Sequence, residues 1–187
     1  MKSRSFGLVF LAVTVLTLLT SSSAQAQVNW AKSVNKAKKQ ALAENKLIVL
    51  DFTADWCRPC RIMEASVWNL PGIEKITDSL VMVQIDITDN RPLAAYYKAD
   101  RIPKIIVMDY KGEILFERVG YPGAEYMINL LGAIPANAEG YYTAKEVYRE
   151  NKNYDTSQKM IDALKQLADS ISHDELKQSI TEASEAL

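Results

Sequence analysis

The chain has 187 residues, 48% of them hydrophobic and 24% charged, with a formal net charge of −1. That length fits one domain with a small appendage, and the composition argues against wholesale disorder or a low-complexity fibre. Near-zero net charge removes the electrostatic case for nucleic acid, while two cysteines and one histidine are too few for a disulfide-stapled scaffold or a four-ligand zinc site.

Residues 1–26 read as a signal peptide. Lys2 and Arg4 precede an uncharged apolar stretch over 6–19, and Ala24-Gln25-Ala26 offers the small-x-small pattern of a signal-peptidase site. At about fourteen residues the stretch is shorter than the ~20 that a membrane-spanning helix needs. Cleavage is expected after Ala26, which places the mature chain in the periplasm or outside the cell, where a disulfide persists. An uncleaved N-terminal anchor is the alternative.

Trp30, Val34, Ala37 and Ala41 recur at helical spacing and predict an amphipathic helix over 29–44. Residues 47–52 follow as an apolar run suited to a strand buried on both faces, except that Asp51 lies inside it. An acid there must pair or stay protonated. Trp56-Cys57-Arg58-Pro59-Cys60 leads into a helix that Pro71-Gly72 breaks, with a further short helix over 73–80. Residues 81–87 read as a strand and 92–98 as a helix. The run 105–108, the turn Asp109-Tyr110-Lys111-Gly112 and the alternating segment 113–119 form a hairpin. A helix over 125–131 completes the unit. Early alternation with a late tight turn predicts an α/β fold, a mixed sheet with helices on both faces.

Residues 135–187 are expected to form a separate helical C-terminal extension to a domain spanning 27–134. A linker runs over 134–140. Tyr141 to Ala168 loosely resembles a single tetratricopeptide-type hairpin, and one such repeat cannot bury its own face. Packing on the main domain is therefore the favoured expectation, against a free partner-binding surface. Ser172 with Glu175 fits a capping box for the last helix.

Three chemistries compete for Cys57 and Cys60. A metal site would have His173 as its sole imidazole, and that residue is expected to be an exposed side chain at a helix start. A structural disulfide across so short a loop removes little unfolded-state entropy. A redox-active dithiol is the strongest reading. Cys57 falls at a strand-to-helix junction, where unsatisfied helix N–H groups lower a thiol pKa, and Cys60 lies one turn on, within reach of a mixed disulfide on Cys57. Pro59 stiffens the connection, and Arg58 adds positive charge.

The segment from Asp51 to Cys60, with Ile102-Pro103 before the 105–108 strand and the Gly-containing bend at Val119-Gly120-Tyr121, resembles the thioredoxin superfamily. Within it, the similarity is to secreted thioredoxin-like proteins and the C-terminal domain of the DsbD thiol:disulfide interchange protein. The resemblance covers about residues 30–131 and implies a thioredoxin-like fold. It casts Cys57 as the attacking and Cys60 as the resolving cysteine, and Asp51 as the buried acid that takes the resolving thiol's proton. Trp56 is then the aromatic flanking the dithiol. Pro103 becomes the cis-proline of a loop that, with Ile102, contacts substrate backbone. Ala65 stands where thioredoxin has a helix-kinking proline, and Lys104 where many relatives carry threonine. Arg58, Pro59 and Lys104 are taken as redox-tuning residues. The two cations predict a potential less reducing than thioredoxin's roughly −270 mV.

The resulting expectation is a periplasmic thiol–disulfide oxidoreductase acting on disulfide-containing proteins, in the reducing direction. It needs no cofactor and no metal, and it draws electrons from a separate membrane donor. Nucleic acid is not an expected partner, and the oligomeric state is left open. The alternatives are an adaptor that uses the helical tail and carries a structural or vestigial disulfide, and an electron carrier dedicated to one client.

Overall fold

A computed structural model describes residues 27–187; the signal-peptide expectation lies outside the described residues. Four strands form one sheet in the order β2-β1-β3-β4: β1 is Ile48–Thr53, β2 Val81–Asp86, β3 Lys104–Met108 and β4 Ile114–Val119. β1 runs parallel to β2 and antiparallel to β3, and β4 returns antiparallel on β3. The continuous apolar runs in β1 and β3 reflect burial on both faces.

Helix α1 covers Val34–Glu44 and starts later than residue 29. Ser33 is the reason: its Oγ accepts from the Lys36 N–H and caps the helix there. Trp30 is instead extended, bridges Met82 alongside β2, and meets Trp68 edge-on with ring centroids 5.4 Å apart. Helix α2 (Arg58–Met63) widens into a π-helical turn over Glu64–Trp68, which contains Ala65. A short α3 (Glu74–Thr77), α4 (Arg91–Tyr96) and α5 (Ala124–Ala133) complete the α/β unit.

Alternation along β1 sorts the helices. Phe52 points to the face where Tyr97 follows α4, with rings 5.6 Å apart. Asp51 points to the opposite face, towards Gln84, Glu64 and the π turn. Helices therefore cover both faces, and the C-terminal ends of parallel β1 and β2 open beside the start of α2. Open α/β sheets place their sites at such ends.

Three further helices follow: α6 (Glu139–Glu150), α7 (Tyr154–Asp169) and α8 (Asp174–Glu185). They pack on the sheet unit, and Met160, Leu164, Leu176 and Ile180 join one continuous core with the strands. Two polar anchors fix them. Asp109, fully buried in the β3–β4 turn, accepts from the Lys111, Gly112 and Glu113 N–H groups with one oxygen. Its other oxygen pairs with Lys145 of α6 at 2.5 Å and accepts from the Tyr141 hydroxyl at 3.1 Å. At the far edge, Ser179 of α8 donates to the Leu115 carbonyl of β4 at 2.6 Å, so α8 covers the open side of that strand.

The last helix departs from expectation at its start. His173, not Ser172, is the N-cap, and its Nδ1 accepts from the Leu176 N–H. Glu175 is unavailable for a capping box because it binds Arg118 and the Tyr126 hydroxyl. His173 is half-buried against the Tyr126 ring, 4.9 Å between centroids, which corrects the expectation of a solvent-exposed side chain.

Candidate active site

Cys57 is the N-cap of α2, and its backbone is extended while Arg58 and Pro59 begin the helix. That placement turns the Cys60 N–H onto Cys57 Sγ at 3.2 Å. A sulfur held by helix N–H groups is stabilised as a thiolate. The two sulfurs form a disulfide with Cα atoms 5.3 Å apart. Cys57 and Cys60 are 4% and 2% exposed and lie with Ala54 in a small apolar cluster separate from the main core, against which Ile87 and Ile102 pack.

The flanking residues frame this cluster. Trp56 is 65% exposed, and its indole N–H donates to Thr88 Oγ1 in the loop after β2. Arg58 and Pro59 are exposed on the first turn of α2, and the neighbouring Arg61 guanidinium donates to the Asp55 carbonyl. The Ile102–Pro103 peptide bond is cis. The Pro103 carbonyl accepts from the Gly120 N–H at 2.8 Å, which ties this loop to the end of β4. Lys104 is buried, and its ammonium engages Glu117 at 3.0 Å and the Tyr97 carbonyl at 2.9 Å. Its charge is therefore answered within the fold, whereas Arg58, exposed beside Cys57, has no ion-pair partner among the described residues.

In the strand that leads to the disulfide, Asp51 is 1% exposed. Burial pushes its carboxyl from 3.8 up to about 7, with the Gln84 hydrogen bond opposing the rise and the nearby Glu64 charge adding to it. Gln84 Nε2 donates to Asp51 Oδ2 and to Glu64 Oε2, both at 3.1 Å. Asp51 Oδ1 and the Trp68 indole N–H are both buried and, among the described residues, have no partner within hydrogen-bonding distance. A buried acid with a midpoint near neutrality can take up and return a proton under working conditions.

Gln84, Glu64 and Trp68 were not singled out from sequence. Glu64 lies one turn beyond Cys60 on the same helix, a spacing that could have marked it. Gln84 is brought to Asp51 by the β1–β2 register, in which the two are direct partners. Among the described residues, no group of three His, Cys, Asp or Glu side chains could hold a metal ion.

A disulfide at a helix start, a cis-proline loop that packs on it through Ile102 and a buried acid in the strand that leads to it, on a mixed sheet, define a dithiol oxidoreductase. A family model described as thioredoxin-like matches residues 29–109. Thioredoxin H3 of Arabidopsis thaliana is 36% identical over 92 residues, 49% of this chain and 75% of that protein. The thiol:disulfide interchange protein DsbD of Pseudomonas fluorescens is 28% identical over 96 residues, 49% of this chain but 16% of that protein. Among solved structures, DsbH oxidoreductase aligns with a TM-score of 0.51 at 25% identity, over 62% of this chain and 92% of that chain. The chain belongs to the thioredoxin-like family and is a thiol–disulfide oxidoreductase.

Proposed function

We propose that this protein reduces disulfides of exported proteins in the periplasm. The observation that carries the reading is the Cys57–Cys60 disulfide at the start of α2, with Ile102 of the cis-proline loop packed on it and Asp51 buried in the strand that leads to it. In the reduced protein the Cys57 thiolate attacks one sulfur of a client disulfide, and the client's other sulfur departs as a thiolate. Cys60 then gives its proton to the Asp51 carboxylate and attacks Cys57 Sγ. The client cysteine leaves and takes up a proton, two electrons have passed to the client, and the chain is left oxidised as observed. Trp56 and the Ile102–Pro103 loop flank the incoming segment. Regeneration calls for a dithiol donor, for which a separate membrane protein is proposed.

A Cys60→Ser variant expressed with its native N-terminus tests this. Client proteins should accumulate as mixed disulfides on Cys57, and the mature protein should begin at Gln27 in the periplasmic fraction. Absence of any adduct rejects the mechanism, and a cytoplasmic product rejects the location. Equilibration against glutathione tests direction. With Arg58 favouring the Cys57 thiolate, the potential should be less reducing than about −270 mV and still able to reduce non-native disulfides. A value at or below thioredoxin's removes the role given to Arg58.

A further inference from the structure

Lys104 opens β3 directly after the cis proline, and its side chain is only 3% exposed. Lysine is rarely buried so fully unless its charge is answered. Here three acceptors answer it: the Tyr97 carbonyl at 2.9 Å, the Lys98 carbonyl at 3.4 Å and Glu117 Oε2 at 3.0 Å. The two carbonyls end α4, where unsatisfied C=O groups and the helix dipole both favour a cation. Glu117 belongs to β4. One ammonium thus joins the end of α4, the start of β3 and strand β4.

The consequence falls on residues 98–103, which leave α4 through a left-handed Lys98 at φ 50° and end at Pro103. Lys104 closes this loop from below, and the Gly120 N–H holds Pro103 from the side. The loop presents Ile102 to the Cys57–Cys60 cluster. The Ile102 N–H and C=O make no backbone hydrogen bond among the described residues, so they stand as a short free edge beside the disulfide.

We infer that Lys104 is a positioning residue that holds the Ile102–Pro103 loop at the height where an extended client backbone pairs with Ile102 while its disulfide meets Cys57. The inference rests on the proposed disulfide exchange, and its readout is the ratio between a peptide disulfide, which needs the loop, and a small free disulfide, which does not. Methionine in place of Lys104 keeps a long apolar stem but loses all three contacts, releasing the loop without touching either cysteine.

Steady-state reduction of an unstructured peptide disulfide and of hydroxyethyl disulfide, by the full chain, tests this. Lys104→Met should lower kcat/KM for the peptide by about tenfold, mainly through KM, and leave hydroxyethyl disulfide within about twofold. Glu117→Gln removes only the half-exposed partner, keeps the variant folded, and should shift the same ratio by a smaller factor. Lys104→Arg should restore part of the peptide rate. Equal losses on both substrates, or an unchanged ratio in both variants, overturn the inference. A wild-type chain that reduces neither substrate overturns the proposed function instead.

Discussion

Asp51 and Gln84 face each other across the parallel β1–β2 pair, and the Gln84 amide reaches both Asp51 and Glu64 at 3.1 Å. A single neutral donor holds two carboxyl groups together one turn beyond Cys60. Like charges so placed cannot both ionise without cost, and the buried one yields. Proton handling at this site therefore depends on three residues from β1, β2 and the π turn.

The raised Asp51 midpoint links stability to pH. The folded state binds this proton up to about pH 7, whereas an unfolded aspartate releases it near 3.8. The stabilisation is fully present below the unfolded value, declines as the pH rises between the two, and is gone above the folded one. Asp51→Asn should therefore gain on the native protein by up to about 4 kcal/mol between pH 4 and pH 8. Urea unfolding of the oxidised forms at both pH values measures this, and parallel pH profiles for the two proteins would reject it. The same variant should release mixed disulfides more slowly, by at least about tenfold.

Gln84→Leu removes a donor that holds the Asp51 carboxyl down. Its midpoint should then move above 7, and the pH profile of disulfide exchange should follow. Carbon NMR titration of the Asp51 carboxyl reads this directly. A midpoint that stays or falls would reject Gln84 as the restraint.

Lys145→Met should destabilise the protein by about 3 kcal/mol, because it strands the buried Asp109 charge. The three turn N–H groups and the Tyr141 hydroxyl remain as donors, which keeps the loss at the low end for a broken buried pair. Adding Asp109→Asn should recover part of it, and chemical denaturation of the single and double variants checks the coupling.

Ser179→Ala loses the hydrogen bond to Leu115 and should cost about 1 kcal/mol. Truncation after Ile134 is a stronger test of the same edge. It uncovers β4 and the apolar surface that α6–α8 share with the core, so the shortened chain should self-associate. Light scattering after size-exclusion chromatography distinguishes this from a soluble monomer, which would mark the extension as dispensable for the fold.

Helical spacing suggested that α1 begins near residue 29, yet Ser33 caps it and Trp30 goes to the β2 edge. Periodicity reports which residues share a face and does not report which hydroxyl captures the first free N–H. The Ser172–Glu175 pattern met the same difficulty, because Arg118 and Tyr126, distant in sequence, claim Glu175. The strands were legible because a run buried on both faces is apolar without interruption, and that is why Asp51 stood out.

By itself the sequence determined the redox pair, its place at a strand-to-helix junction and the buried acid, since each is a local pattern of a few neighbouring residues. Tertiary structure alone decided that Gln84 and Glu64 share the carboxyl, that Lys104 turns inward to close the Ile102–Pro103 loop, and that the last three helices lock onto the β3–β4 hairpin and its edge. Those outcomes depend on strand register and on where long polar side chains find partners once water is excluded, and sequence spacing carries neither.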